Sequence, residues 1–136
     1  MADLSITAAS VIAGAGATKK LGTAGTTITA GKTVYLDTSD DKYKLADADS
    51  ATDAVRSPAG IALNGASDGQ PLVVHTAGPL TIGAAVTAGV TYYLSPNPGG
   101  ICAIADVLSG DHTIILGMAT STTVLNVNIQ ESGAAI

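Results

Sequence analysis

Ser67 stands where a nucleophile could stand. Gly65-Ala66-Ser67-Asp68-Gly69 has the G-x-S-x-G spacing of a nucleophile elbow, and Asp106 and His112 follow in the order serine, acid, histidine used by one class of hydrolytic triads. In such a triad the imidazole takes the serine proton and the acid orients the imidazole. The serine is held exposed because a strand turns sharply into a helix, whereas here Gln70-Pro71 leads into the apolar run Leu72-Val73-Val74. The pentapeptide therefore reads as a polar loop between strands. A small serine hydrolase using Ser67 is the reading it leaves as the alternative of a different class.

Asp47, Asp49 and Asp53 have the alternating spacing that opens a calcium loop. Counting Asp47 as the first position, the sixth is Thr52 and the twelfth Pro58, where an EF-hand needs Gly and a bidentate Glu. These acids, with Asp37, Asp40 and Asp41, read as solvated loop residues. Gly14-Ala15-Gly16-Ala17-Thr18-Lys19 lacks the Gly-Lys-Ser/Thr ending that meets phosphate and magnesium. His75 and His112 have no ligand partners near them in sequence, so the chain implies no metal and no cofactor. Cys102 stands alone, which excludes an internal disulfide, and its place between Ile101 and Ile104 makes it a small buried hydrophobe. Tyr35, Tyr43, Tyr92 and Tyr93 fall on strand positions and read as packing residues.

The elements that would carry these residues are strands. Leu125, Val127 and Ile129 alternate with Asn126, Asn128 and Gln130, the period of two that puts one face on a core and the other in water. Leu72-Val73-Val74-His75 and Thr113-Ile114-Ile115-Leu116 are more continuous and predict strands covered on both faces. Turn residues separate them at Ser39-Asp40-Asp41, Gly65 to Gly69, Ser95 to Gly100 and Ser109-Gly110-Asp111. The only stretch compatible with helix, Ala46 to Val55, has no apolar stripe, is stopped by Pro58, and predicts at most one short turn. The expected fold class is all-β with little or no helix, an antiparallel β-sandwich or jelly-roll-like barrel.

Parts of the sequence recur. Ile28-Thr29-Ala30-Gly31-Lys32-Thr33-Val34-Tyr35-Leu36 returns as Val86-Thr87-Ala88-Gly89-Val90-Thr91-Tyr92-Tyr93-Leu94, and Gly60-Ile61-Ala62 returns as Gly117-Met118-Ala119. This predicts two related units within one domain spanning residues 21–136, roughly Leu21 to Gly78 and Pro79 to Gly133, with a short C-terminal tail. What recurs is strand and turn, with no repeated acid, base or ligand. Residues 1–20 lie outside the repeat and read as an extended arm whose Leu4, Ile6, Val11 and Ile12, together with Ile136 at the other terminus, are candidate contacts to a partner or to another copy. The arm is expected to anchor the protein, and its removal to leave the body folded.

Charge and composition bound the function. Only 12% of the residues are charged, the net charge is −5, and the mean hydropathy is +0.39. Leu, Ile and Val make up about a quarter of the chain, above the floor of roughly 20% below which disorder is expected. Six basic residues, with Lys19-Lys20 the only adjacent pair, form no patch for phosphates, so nucleic acid is not an expected partner. The apolar stretch from Ile6 to Ala17 is preceded by Asp3 and followed by Lys19-Lys20, the reverse of an export signal, and no run is long enough to span a bilayer. Neither membrane insertion nor export is expected, and assembly in the cytoplasm where the chain is made is.

Thr29-Ala30-Gly31-Lys32-Thr33-Val34-Tyr35-Leu36, a polar hairpin, Ala46-Asp47, Gly60-Ile61-Ala62-Leu63, and then Asp68-Gly69-Gln70-Pro71-Leu72-Val73-Val74 with the Gly78 turn resemble the capsid decoration, or cement, proteins of tailed bacteriophages. The resemblance covers most of Leu21 to Gly133. It implies a β-rich, non-enzymatic structural virion protein that binds the outer surface of an icosahedral head through the major capsid protein. It also implies a homo-oligomer, dimer or trimer, and stabilisation of the shell. A tail or head-fibre component that contacts the host surface is the neighbouring alternative.

Overall fold

The structure, a computed structural model, describes residues 3–107 and 109–135, with the backbone alone for residues 132–135. Ten strands follow in order: β1 (Ile12–Ala13), β2 (Thr18–Thr23), β3 (Thr33–Asp37), β4 (Lys42–Leu45), β5 (Gly60–Ala62), β6 (Pro71–Thr81), β7 (Thr91–Leu94), β8 (Ile101–Ala103), β9 (His112–Ala119) and β10 (Val124–Ala135). Three short 3-10 turns, at Ala8–Ser10, Asp53–Arg56 and Ile104–Asp106, are the only helical pieces among the described residues. The all-β expectation holds, and the turn expected before Pro58 is the one at Asp53–Arg56.

Local chemistry sets the β3–β4 hairpin. Thr33-Val34-Tyr35-Leu36 is β-branched and aromatic, and Asp37 Oδ1 accepts the Ser39 amide while Asp40 Oδ1 accepts the Lys42 amide, closing the turn at Asp41, whose φ is 57°. The strands form two antiparallel sheets that share β6. The first runs β4-β3-β5-β6-β2, and the second runs β8-β7-β9-β10-β6-β1. Residues 71–77 of β6 pair with β2, and His75 and Val74 pair with β5. Residues 78–81 pair with β10, and Leu80 and Thr81 pair with β1. The passage from one sheet to the other falls at Gly78, with φ 94°, where a side chain would press on the Ala17 backbone.

Two cores result. The first sheet curls until Ala24, just past β2, bridges Tyr43 on β4, and the curl encloses Ile28, Val34, Tyr43, Ala62, Leu72 and Val74. The main core lies between the sheets and holds Tyr35, Ile61, Leu80, Ile82, Leu94, Ile101, Leu116 and Leu125. β3 and β5 are apolar on both sides: Val34 and Ala62 face the small core, Tyr35 and Ile61 the main one. This corrects the expectation for Thr113–Leu116, because on β9 Ile114 and Leu116 are buried while Ile115 lies half-buried. The alternation predicted for residues 125–130 holds, with Leu125 and Val127 buried, Ile129 half-buried, and Asn126, Asn128 and Gln130 exposed.

Candidate docking face

Residues directly opposite one another on neighbouring strands share a face of the sheet, so register assigns the surface of the second sheet row by row. One row runs Ala13, Leu80, Leu125 and Ala119 across β1, β6, β10 and β9, and of these Leu80, Leu125 and Ala119 are buried in the main core. The rows on either side of it therefore point outward. Ile12, Thr81 and Val124 form the first. Pro79, Asn126, Met118 and Thr91 form the second, and Gln130, Ile115 and Tyr93 a third beyond a bulge in β10. Not one residue in these three rows carries a charge.

The face combines apolar side chains with neutral hydrogen-bonding groups. Ile12 is 61% exposed and Met118 49%, two of the most exposed large hydrophobic residues of the described chain. Beside Met118 a shallow groove of about 330 Å³ is lined by Thr91, Ile115, Thr120, Asn126, Asn128 and Gln130 among others. Side-chain amides can both donate and accept, so such a surface can satisfy an extended backbone or a hydroxyl-rich ligand without a charge to desolvate.

The ionic groups lie elsewhere. Lys44 Nζ sits 2.7 Å from Asp37 and 3.1 Å from Asp40, and Lys42 Nζ sits 3.2 Å from Asp68, all around the β3–β4 hairpin of the first sheet. The Lys44 ammonium and the Ser39 donors hold the Asp37 carboxyl down at about 2, and Asp37 in turn holds Lys44 above its ordinary value. Arg56 pairs with Asp53 and donates to the Ser50 carbonyl. Those two residues, with Ser57, His112, Ile114 and Glu131, line a second groove of about 300 Å³.

The structure separates the residues of the elbow reading. Ser67 lies in the loop between β5 and β6, where its amide donates to Gln70 Oε1 and its carbonyl accepts the Gln70 amide. A strand follows, not a helix. His112 opens β9 beside Arg56 and Glu131, Asp106 lies in the 3-10 turn after β8, and no described hydrogen bond joins either to Ser67. Asp47 Oδ1 accepts the Asp49 amide in a local turn, and burial raises its carboxyl above the usual range. Among the described residues no cluster of His, Cys, Asp and Glu gathers to hold a metal. His75 is fully buried with Nε2 2.8 Å from the Gly78 carbonyl, while its Nδ1 and the Thr33 hydroxyl have no partner. Cys102 is buried as expected, and burial pushes its thiol up to about 12. Tyr35, Tyr43 and Tyr92 are buried packing residues, and Tyr93 is half-buried on the outward rows.

No family model and no curated protein matches the chain.

The arm is placed differently from its reading in the sequence. Val11 is buried in the main core, Leu4 and Ile6 pack against it, and β2 already begins at Thr18. The Leu4 amide donates to Ile101, the Thr7 amide to Gly83 and the Gly14 amide to Pro79. Leu4, Ile6 and Val11, read from the sequence as contacts to a partner or to another copy, thus have apolar partners in the body, and removing the arm would take Val11 out of the main core. Of the candidate contacts, Ile12 alone projects from the arm onto the outward rows; Ile136 lies outside the described residues. Met118 and Ile115 on that face escape the sequence reading because β9 looks covered on both sides. The amides of β10 were legible from their alternation.

Proposed function

We propose that this protein is a structural virion component, a decoration protein that seats the uncharged face of its second sheet on the outside of an icosahedral bacteriophage head and stabilises the shell. The observation that carries the reading is the charge-free surface running from Ile12 to Gln130 on a chain of net charge −5. Burying it against a shell protein removes apolar side chains from water at about 25 cal/mol per Å² without desolvating an ion. The remaining acidic surface is repelled by packaged DNA, which suits the outside of the head. The partners are the major capsid protein and further copies of this chain, as a dimer or trimer, after synthesis in the host cytoplasm. The non-enzymatic role follows from the family resemblance.

Ile12→Asp and Met118→Asp place a charge on two rows of the face without touching a buried residue. In a pelleting assay with undecorated capsids, each variant is expected to lose roughly tenfold or more in apparent affinity, on the order of 1.4 kcal/mol, while keeping its circular dichroism spectrum. Undiminished occupancy by the double variant defeats the docking face.

The amide row Asn126, Asn128 and Gln130 beside Met118 favours one other reading, a tail or head-fibre component that holds host surface glycans. Retention on host-cell polysaccharide, abolished by Asn126→Ala and Asn128→Ala, with no capsid binding, decides for it.

A further inference from the structure

We propose that β2 is a receiving edge for an extended, acidic segment of another protein, which adds to the first sheet as an antiparallel strand beside Lys19-Lys20-Leu21. β2 ends the first sheet on one side, and residues 18–21 are exposed and pair with β6 alone among the described residues. Backbone pairing with β4 begins only at Ala24 and Gly25, which meet Tyr43. The Leu21 backbone is turned to the open edge. Opposite it, Val73 uses both of its backbone groups on the far side of β6: its carbonyl accepts the Leu63 amide, and its amide donates to Asn64 Oδ1. Leu21 and Val73 are therefore a pair without mutual hydrogen bonds, so the Leu21 amide and carbonyl point away from β6, and two residues back the Lys19 backbone does the same. An extended chain laid along this edge finds a donor and an acceptor at each of those positions.

Charge and surface chemistry name the occupant. Lys42, Lys44 and Arg56 are held by carboxylates, whereas Lys19 and Lys20 have none beside them among the described residues. Successive residues of a strand face opposite sides, so one ammonium stands on each face of the edge. Leu21 shares the Lys19 face and, at 71%, is the most exposed large hydrophobic residue of the described chain. Its row continues across β6 through Val73 to Leu63, both half-buried. A strand added antiparallel meets Leu21, Lys20 and Lys19 in reverse order, so the segment that fits reads apolar, acidic, acidic from its N-terminal end. A second β2 would bring lysines against lysines, which disfavours another copy of this chain at the same edge. The inference stands apart from the capsid reading, because β2 belongs to the first sheet and the uncharged face to the second.

The probe is a labelled synthetic peptide, acetyl-Thr-Thr-Val-Glu-Glu-Thr-Thr-amide, titrated into the full chain to millimolar concentration and followed by fluorescence anisotropy. The expected result is saturable binding that weakens with salt, with slowed deuterium exchange at the Lys19 and Leu21 amides. Lys19→Glu with Lys20→Glu should lower the affinity roughly tenfold or more. The same double variant should bind the peptide carrying Val-Lys-Lys in place of Val-Glu-Glu, which also shows that it remains folded. Methylating the peptide's backbone nitrogens removes its strand donors and should abolish binding. Equal affinity for the methylated peptide or for a thymidine oligonucleotide makes the edge a plain basic patch and overturns the inference; so does an absence of binding by the wild type.

Discussion

The Asp37–Lys44 pair is the clearest titrating element of the molecule. Asp37 is held at about 2 against an ordinary 3.8, chiefly by the Lys44 ammonium and then by Ser39. A carboxyl depressed in the folded state contributes stability that is fully present above its unfolded value and is lost as the pH falls through the folded one. The contribution is therefore whole above about pH 4 and is lost as the pH falls through about 2. Urea midpoints of wild type and Asp37→Asn should differ at pH 6 and converge toward pH 2. A gap that stays constant across that range removes Asp37 from the acid response. The pair is partly open to solvent, so the difference is a small one and shrinks with added salt.

At the scale of elements, β2 and β4 meet at a close joint. Gly22 lies against the Tyr43 ring, and a Cβ at that position would land within the ring edge. Tyr43 is nearly fully buried in the small core, so it has no space to yield. Gly22→Val is expected to destabilise the protein by roughly 1 to 3 kcal/mol, the usual cost of overpacking, read as a lower urea midpoint with an unchanged slope; an unchanged midpoint shows the curl opening freely. Much of this level could be read from the residues. The alternation at residues 125–130 gives the half-buried last strand, and the spacing of Gly, Pro and Asp gives the turns. What could not be read is which apolar run meets which core. Thr113–Leu116 looks doubly covered yet has one open face, whereas Val34-Tyr35 and Ile61-Ala62 look ordinary and are enclosed on both sides, because a second sheet, distant in sequence, lies over them. The uncharged face is half legible for the same reason: Asn126, Asn128 and Gln130 announce themselves by period, while Ile12 and Met118 join them only through pairing across β6 and β9. The packing of residues 3–13 is not legible in the sequence, because the positions they meet, Gly31, Gly83 and Ile101, come from three separate stretches of chain.

The whole molecule is organised on β6, the strand that both sheets use and whose two ends face different cores. Either half lacks an edge without it, and the N-terminal segment, residues 3–13, ties the loops at Gly31, Ser95 and Gly83 together across the division. The shared strand and the main core thus join the two sheets into one body. The consequence of that arrangement is how seldom its centre meets water. A backbone amide exchanges its hydrogen for deuterium only when its bond opens, and the free energy of that opening ranges from near zero at fraying ends to the full unfolding free energy at the centre. β6 has partners along both edges over much of its length, so Val74, His75 and Leu80 should be among the last amides to exchange, together and at the global rate. β4 and β8, at the margins, should exchange first. Mass spectrometry or NMR that finds the peptide covering residues 71–81 exchanging as early as β8 would mean that the two sheets part along it long before either one unfolds.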